Sequence, residues 1–112
     1  MKTFLALYTG SPNPDARPSP PDPDTIARGM AAWSGWMAAN ADRLAFTGGP
    51  LGATKTVDKT GIADTHNAVA GFVVIQAEDH AAAARLFENH PHFAIFPGEA
   101  VEIMEVLPVP GS

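Results

Sequence analysis

Four histidines and the carboxylates near them hold most of the chemistry this chain can offer. His66 stands two residues after Asp64 in a polar stretch. A carboxylate there could orient an imidazole for proton transfer, and the alternative is an ordinary surface-loop histidine. His92 follows a corner at Pro91, which can aim it into a cleft, while its neighbours Phe93, Ile95 and Phe96 equally suit a buried, hydrogen-bonded structural histidine. His90 falls where a helix should end, a place where the helix dipole favours a cationic imidazole. His80 opens a helix and reads as a solvated or capping side chain. Glu102 lies on an otherwise apolar strand face, so it must be paired, protonated or exposed in a cleft. The acid–base candidates are therefore His92, His66 and Asp64.

His90, His92 and Glu102 are ligand types that zinc accepts. Their spacing does not specify a site, because His-x-His needs extended geometry and Pro91 intervenes, so no metal is expected. Ser11, Ser19 and Ser34 have no neighbouring base and no nucleophile-elbow context. The chain has no cysteine, which removes disulfides, thiol catalysis and thiolate metal sites together. Gly48-Gly49-Pro50 is not a phosphate loop, since the GxxxxGK[ST] pattern is absent and no helix follows. No cofactor is expected.

The elements that must position these residues can be read in order. Residues 2–8 are apolar on both alternating faces, as in a central strand covered on both sides. Residues 11–23 contain six prolines that forbid helix and ladder bonding, giving a stiff connection or a lid. Asp22 or Asp24 can cap a helix of about five turns with Ile26, Met30, Trp33, Met37 and Ala41 on its apolar stripe. Trp33 is assigned to packing, whereas Trp36, at the edge of the stripe, suits either a pocket rim or a subunit contact. Residues 44–57 read as a strand interrupted at Gly48-Gly49-Pro50 by a bulge or an edge position, and the polar run from Asp58 to Asn67 as a connection. Residues 69–77 form the strongest strand. Glu78-Asp79 then caps a helix over residues 80–89 that buries Ala83, Leu86 and Phe87, and Pro91 stops it. Residues 99–107 close the fold, with Val101, Ile103 and Leu107 on one face and Glu102, Met104 and Val106 on the other. The tail from Pro108 is expected to be mobile or interface-seeking.

At 112 residues the chain fits one domain, residues 1–112, with composition typical of a globular protein: 46% hydrophobic and 17% charged. A net charge of -5 without a basic run argues against nucleic-acid binding. The apolar start at Phe4 to Tyr8 is cut short by Thr9-Gly10-Ser11-Pro12 and reads as a strand rather than a signal peptide. No segment reaches the ~20 apolar residues that a membrane span needs. The expected location is the cytoplasm.

The order strand, helix, strand, strand, helix, strand is the ferredoxin-like βαββαβ class: an α+β fold with a four-stranded antiparallel sheet. Two helices cover one sheet face and leave the other bare. Phe72, Val74, Met104 and Val106 then need a partner, and a homodimer packed sheet towards sheet is expected.

Gly71-Phe72-Val73-Val74-Ile75-Gln76-Ala77-Glu78-Asp79, the helix ending in His90-Pro91-His92-Phe93, Gly98, and Val101-Glu102-Ile103-Met104-Glu105-Val106 together resemble the YCII-related domain family. Trp33, Trp36, Gly48-Gly49-Pro50-Leu51-Gly52 and Lys55-Thr56-Val57 resemble one branch of it. The resemblance implies a dimeric α/β barrel in which two sheets enclose a cleft at the subunit interface. Some members pair a histidine early in the first helix with the aspartate of an Asp-Pro pair. This chain has no histidine before His66 and reads His90-Pro91 at the second position, so that pair does not carry over. The Asp-Gly-Pro-Phe motif of a related branch is also absent, and Ile62-Ala63-Asp64-Thr65-His66 matches it only weakly.

Three functional readings follow. The first is a dimeric module binding a small organic molecule in an interfacial cleft lined by Tyr8, Trp36, Phe72, His90, Glu102 and Met104. The second is a small enzyme with His92 or His66 as acid or base beside Glu102 or Asp64. The third is an interaction protein whose bare sheet face serves assembly alone.

Overall fold

The computed structural model describes residues 1–11 and 19–111. Strand β1 (Lys2–Thr9) lies between β5 (Val69–Ala77) and β6 (Ala100–Glu105), antiparallel to both, and β2 (Leu44–Pro50) pairs with the far side of β5. The resulting sheet order β2-β5-β1-β6 is consistent with a ferredoxin-like arrangement. The two central strands are the most continuously apolar ones, yet within this chain the helices cover only one of their faces, not both as the pattern of β1 leads one to expect.

On one face, Phe4, Ala6, Val73, Ile75 and Ala77 are buried beneath α1 (Pro23–Ala39) and α2 (His80–Arg85), together with Ala83 and Phe87. Val101 and Ile103 of β6 pack against this core, while Glu102 and Met104 point away, so the alternation expected for this strand holds. Asp22 caps α1 through Thr25 N at 2.7 Å with Pro23 in the first turn, and Asp79 caps α2 through Ala82 N at 2.7 Å. On the other face Leu5, Leu7, Phe72 and Val74 are only half-buried, and Phe46 and Met104 are exposed.

Several expectations change. The helix over residues 80–89 ends at Arg85; the chain then tightens into i→i−3 turns, and Asn89 takes a left-handed φ of 58°. Beyond it there is a one-turn helix, α3 (Pro91–Ala94), because a proline that ends one helix is well suited to start the next. The return strand stops at Glu105 rather than Leu107. Residues 51–57 do not rejoin β2. Instead β3 (Thr54–Asp58) and β4 (Gly61–Thr65) form a separate hairpin, closed where the Asp58 carboxylate accepts the Thr60 N–H at 2.8 Å and Gly61 adopts a φ of 125°. The polar connection expected there is thus half strand. Ile26 and Met30 are exposed rather than core, and Ala41 falls in a short 3-10 turn beyond α1. The proline-rich connection lies largely outside the described residues.

Gly48 shows why β2 kinks. Its φ is 64°, and a Cβ there would lie 1.9 Å from the Phe72 carbonyl oxygen, so only glycine permits this approach at the edge strand where the register shifts.

Candidate functional site

The aromatic side chains converge between the helices and the sheet. Tyr8 rises from the middle of the core, and the ring centroids of Trp33, His90 and His92 lie 4.9, 5.1 and 5.2 Å from its own. Trp36 and Phe87 pack on the other side of His90, at 4.8 and 5.7 Å. Such ring pairs add to the stability that burial alone supplies.

His90 is fully buried, and its hydrogen bonds fix its tautomer. Nδ1 accepts the His92 backbone N–H at 3.0 Å, so in the neutral ring the proton sits on Nε2, which faces Tyr8 Oη at 3.4 Å. Burial, with a smaller contribution from His92, lowers its pKa to about 4. His90 is therefore a neutral helix cap, which accounts for its place at the corner better than a cationic role towards the preceding helix. Burial also raises the Tyr8 phenol well above its ordinary value, so the hydroxyl stays protonated and can donate.

His92 is held by a different partner. Its Nε2 lies 2.8 Å from the Thr9 carbonyl oxygen, which can only accept, so Nε2 carries a proton and Nδ1 is the acceptor of the neutral ring. The Gly98 N–H bonds the His92 carbonyl at 2.9 Å, and a Cβ on Gly98 would come within 2.3 Å of the imidazole. Both glycine and carbonyl therefore set the ring's position.

Two cavities meet at His92. One, of about 300 Å³, lies between α1 and the sheet, with Tyr8, Met30, Trp33, Met37 and Phe96 among its walls; it reaches the sheet at Phe72, whose ring packs on Phe46 at the other face. The other, of about 580 Å³, opens between the base of the β3–β4 hairpin and the turn before β6, and has His66, Asn67, Thr54 and Gly98 in its lining. His92, Phe96 and Ala70 line both.

The residues singled out from sequence are thus divided. Tyr8, Phe72 and His92 line the smaller cavity, and His66 joins His92 at the larger one. His90 lies behind Tyr8 as a support. Trp36 lines neither cavity: its indole N–H donates to the Leu86 carbonyl at 2.8 Å and ties α1 to the end of α2. Asp64 pairs with Lys55 across the hairpin at 2.6 Å, both side chains exposed, rather than turning to His66. Glu102 and Met104 face away from the cavities, on the open side of the sheet. His80 donates from Nε2 to the Ile103 carbonyl at 2.7 Å and stacks on Phe4, joining α2 to β6. Among the described residues no group of three or more His, Asp or Glu is placed to hold a metal ion. Trp33, Met30, Met37 and Phe96 line the smaller cavity although their spacing reads as core; periodicity reports a helix face but not whether a void lies beneath it.

Among the described residues no helix is long and apolar enough to cross a membrane. No family model and no curated protein matches the chain. Among solved structures it is similar to 5-chloro-2-hydroxyhydroquinone dehydrochlorinase (TftG) from Burkholderia phenoliruptrix AC1100, in complex with 2,5-dihydroxybenzoquinone. The two share 19% sequence identity with a TM-score of 0.54, over 91% of this chain and 90% of the other. At that identity the likeness shows the fold: an α+β chain with helices packed on a four-stranded antiparallel sheet.

Proposed function

We propose that this protein binds a small planar organic molecule in the cavity between α1 and the sheet. The observation that carries the reading is the cavity itself: about 300 Å³, walled by aromatic and methionine side chains, with His92 and Tyr8 as polar groups. Pockets that hold small ligands have this composition, a largely apolar wall with a few fixed polar atoms. A flat ring can stack on Trp33 or Phe96, and a hydroxyl or carbonyl oxygen on it can meet the Tyr8 hydroxyl or His92. The 2,5-dihydroxybenzoquinone in complex with the similar dehydrochlorinase is a molecule of this kind.

Isothermal titration calorimetry with hydroquinone and 2,5-dihydroxybenzoquinone tests the reading. Saturable binding is expected, and Met30→Trp, which fills the cavity from a half-exposed position, should remove it. Absence of saturable binding of either compound, or binding unaffected by Met30→Trp, would count against it.

A second reading, proton transfer on the bound molecule, is favoured by the fixed tautomer of His92. With Nε2–H held by Thr9, Nδ1 of the neutral ring is a base that needs no reorientation. Both readings include a homodimer formed through the open sheet face, for which Leu5, Leu7, Phe46, Phe72, Val74 and Met104 provide the apolar surface.

A further inference from the structure

We propose that the ligand has two parts, and that the larger cavity is a second subsite that receives a carboxylate-bearing substituent of the ring held under α1. The inference rests on the ring-binding reading above and extends it to the class of molecule.

Three observations support it. First, the two cavities adjoin: His92, Phe96 and Ala70 line both, so a substituent leaving the ring near His92 enters the larger space. Second, the lining of the larger cavity holds no fixed charge: the chain carries 12 Asp and Glu and 7 Lys and Arg, yet among the described residues none of them lines this cavity. Its polar side chains include the Thr54 hydroxyl, the His66 imidazole and the Asn67 amide. The amide is oriented: Asn67 Oδ1 accepts the Val69 N–H at 2.9 Å, which leaves its nitrogen, a donor only, as the free end. Donors without competing carboxylates suit an anionic oxygen, and bonds to a charged acceptor are the stronger kind.

Third, the hairpin stands apart from the core and the main sheet. None of its residues belongs to the hydrophobic core, and it pairs only with itself. What it does provide is a wall, since Thr54 begins β3 and His66 directly follows β4. A hairpin inserted between β2 and β5 thus brings Thr54, His66 and Asn67 to the mouth of a space that the four-stranded sheet alone would leave open.

The test compares two ligands with the same ring, hydroquinone and 2,5-dihydroxyphenylacetate, by calorimetry on the intact protein. The acid should bind about tenfold more tightly, the effect of one hydrogen bond to a charged group. Asn67→Asp keeps the acceptor for Val69 N–H and replaces the donor with a negative charge, so it should abolish or reverse the preference. His66→Ala should weaken binding of the acid. Equal affinities in the wild type, or a preference that survives Asn67→Asp, would overturn the second subsite while leaving ring binding intact. If neither compound binds, both the subsite and the ring-binding reading fail.

Discussion

The imidazole of His90 caps the short helix that carries His92, its Nδ1 accepting the His92 backbone N–H at 3.0 Å. One histidine thus positions the next, and it can do so only while neutral, because a protonated Nδ1 has no lone pair for the bond.

That requirement makes stability depend on pH. Burial lowers the His90 pKa from 6.5 to about 4, so between these values the unfolded chain binds a proton that the folded chain does not. The contribution is fully present above pH 6.5 and is lost as pH falls through about 4, with a total on the order of 3 kcal/mol. Asp22 and Asp58, held below their ordinary 3.8 chiefly by hydrogen bonds to Thr25 and Thr60, lose their contributions only at lower pH. Urea midpoints at pH 7, 5.5 and 4.5 should fall steeply for the wild type. The fall should be shallower for His90→Asn, which can still cap α3 without titrating. Parallel slopes for the two proteins would remove His90 as the cause.

Two glycines should respond oppositely to the same substitution. A Cβ on Gly98 would lie 2.3 Å from the His92 ring and 2.4 Å from its carbonyl oxygen, so the backbone must move. Gly98→Ala should cost about 1–3 kcal/mol and shift the His92 ring resonances in NMR spectra. Gly35, exposed within α1, has nothing within 4 Å of the same position, and Gly35→Ala should stabilise by up to about 1 kcal/mol through helix propensity. Thermal denaturation of the two variants measures the contrast.

Why some of this is legible in the sequence and some is not follows from the range of each interaction. The central strands, both helix caps and the faces of β6 depend on neighbours a few residues apart, and periodicity with capping chemistry reveals them. Most of β3 falls within residues that read as strand, but its pairing and all of β4 escape such a reading, because the two strands are polar and pair only with each other, so no apolar alternation marks them. His90 and His92 are visible as candidates, but their division of labour depends on Thr9 and Tyr8, more than 80 residues away. Glu102 stands out as a carboxylate on an apolar face, yet which side of the sheet the cavities occupy is a tertiary fact.

Trp36 illustrates that division in a single side chain. Its position at the edge of the α1 stripe allows a rim or an interface, and the structure makes it a strut whose indole N–H reaches the Leu86 carbonyl at 2.8 Å. Trp36→Phe keeps most of the packing and deletes the donor, leaving a partly buried carbonyl without it. A loss of about 1–2 kcal/mol in denaturant titrations is expected. Ring binding, measured by calorimetry, should change little, because Trp36 does not line the cavity. A large loss of affinity at unchanged stability would reverse this assignment.

The open sheet face leads to the last prediction. Phe46 on edge strand β2 and Met104 on edge strand β6 are 57% and 42% exposed, and the half-buried Leu5, Leu7, Phe72 and Val74 lie on the strands between them. Neither Phe46 nor Met104 belongs to the core beneath the helices, so changing both to lysine should leave the folded chain nearly as stable as before. In a sheet-to-sheet dimer the same changes would bring like charges into a dry interface, a costly arrangement. Light scattering coupled to size-exclusion chromatography at micromolar concentration should therefore give a dimer for the wild type and a monomer for Phe46→Lys/Met104→Lys. Circular dichroism should show the same secondary structure in both. A monomeric wild type, or a double variant that remains dimeric, would rule out this face as the contact.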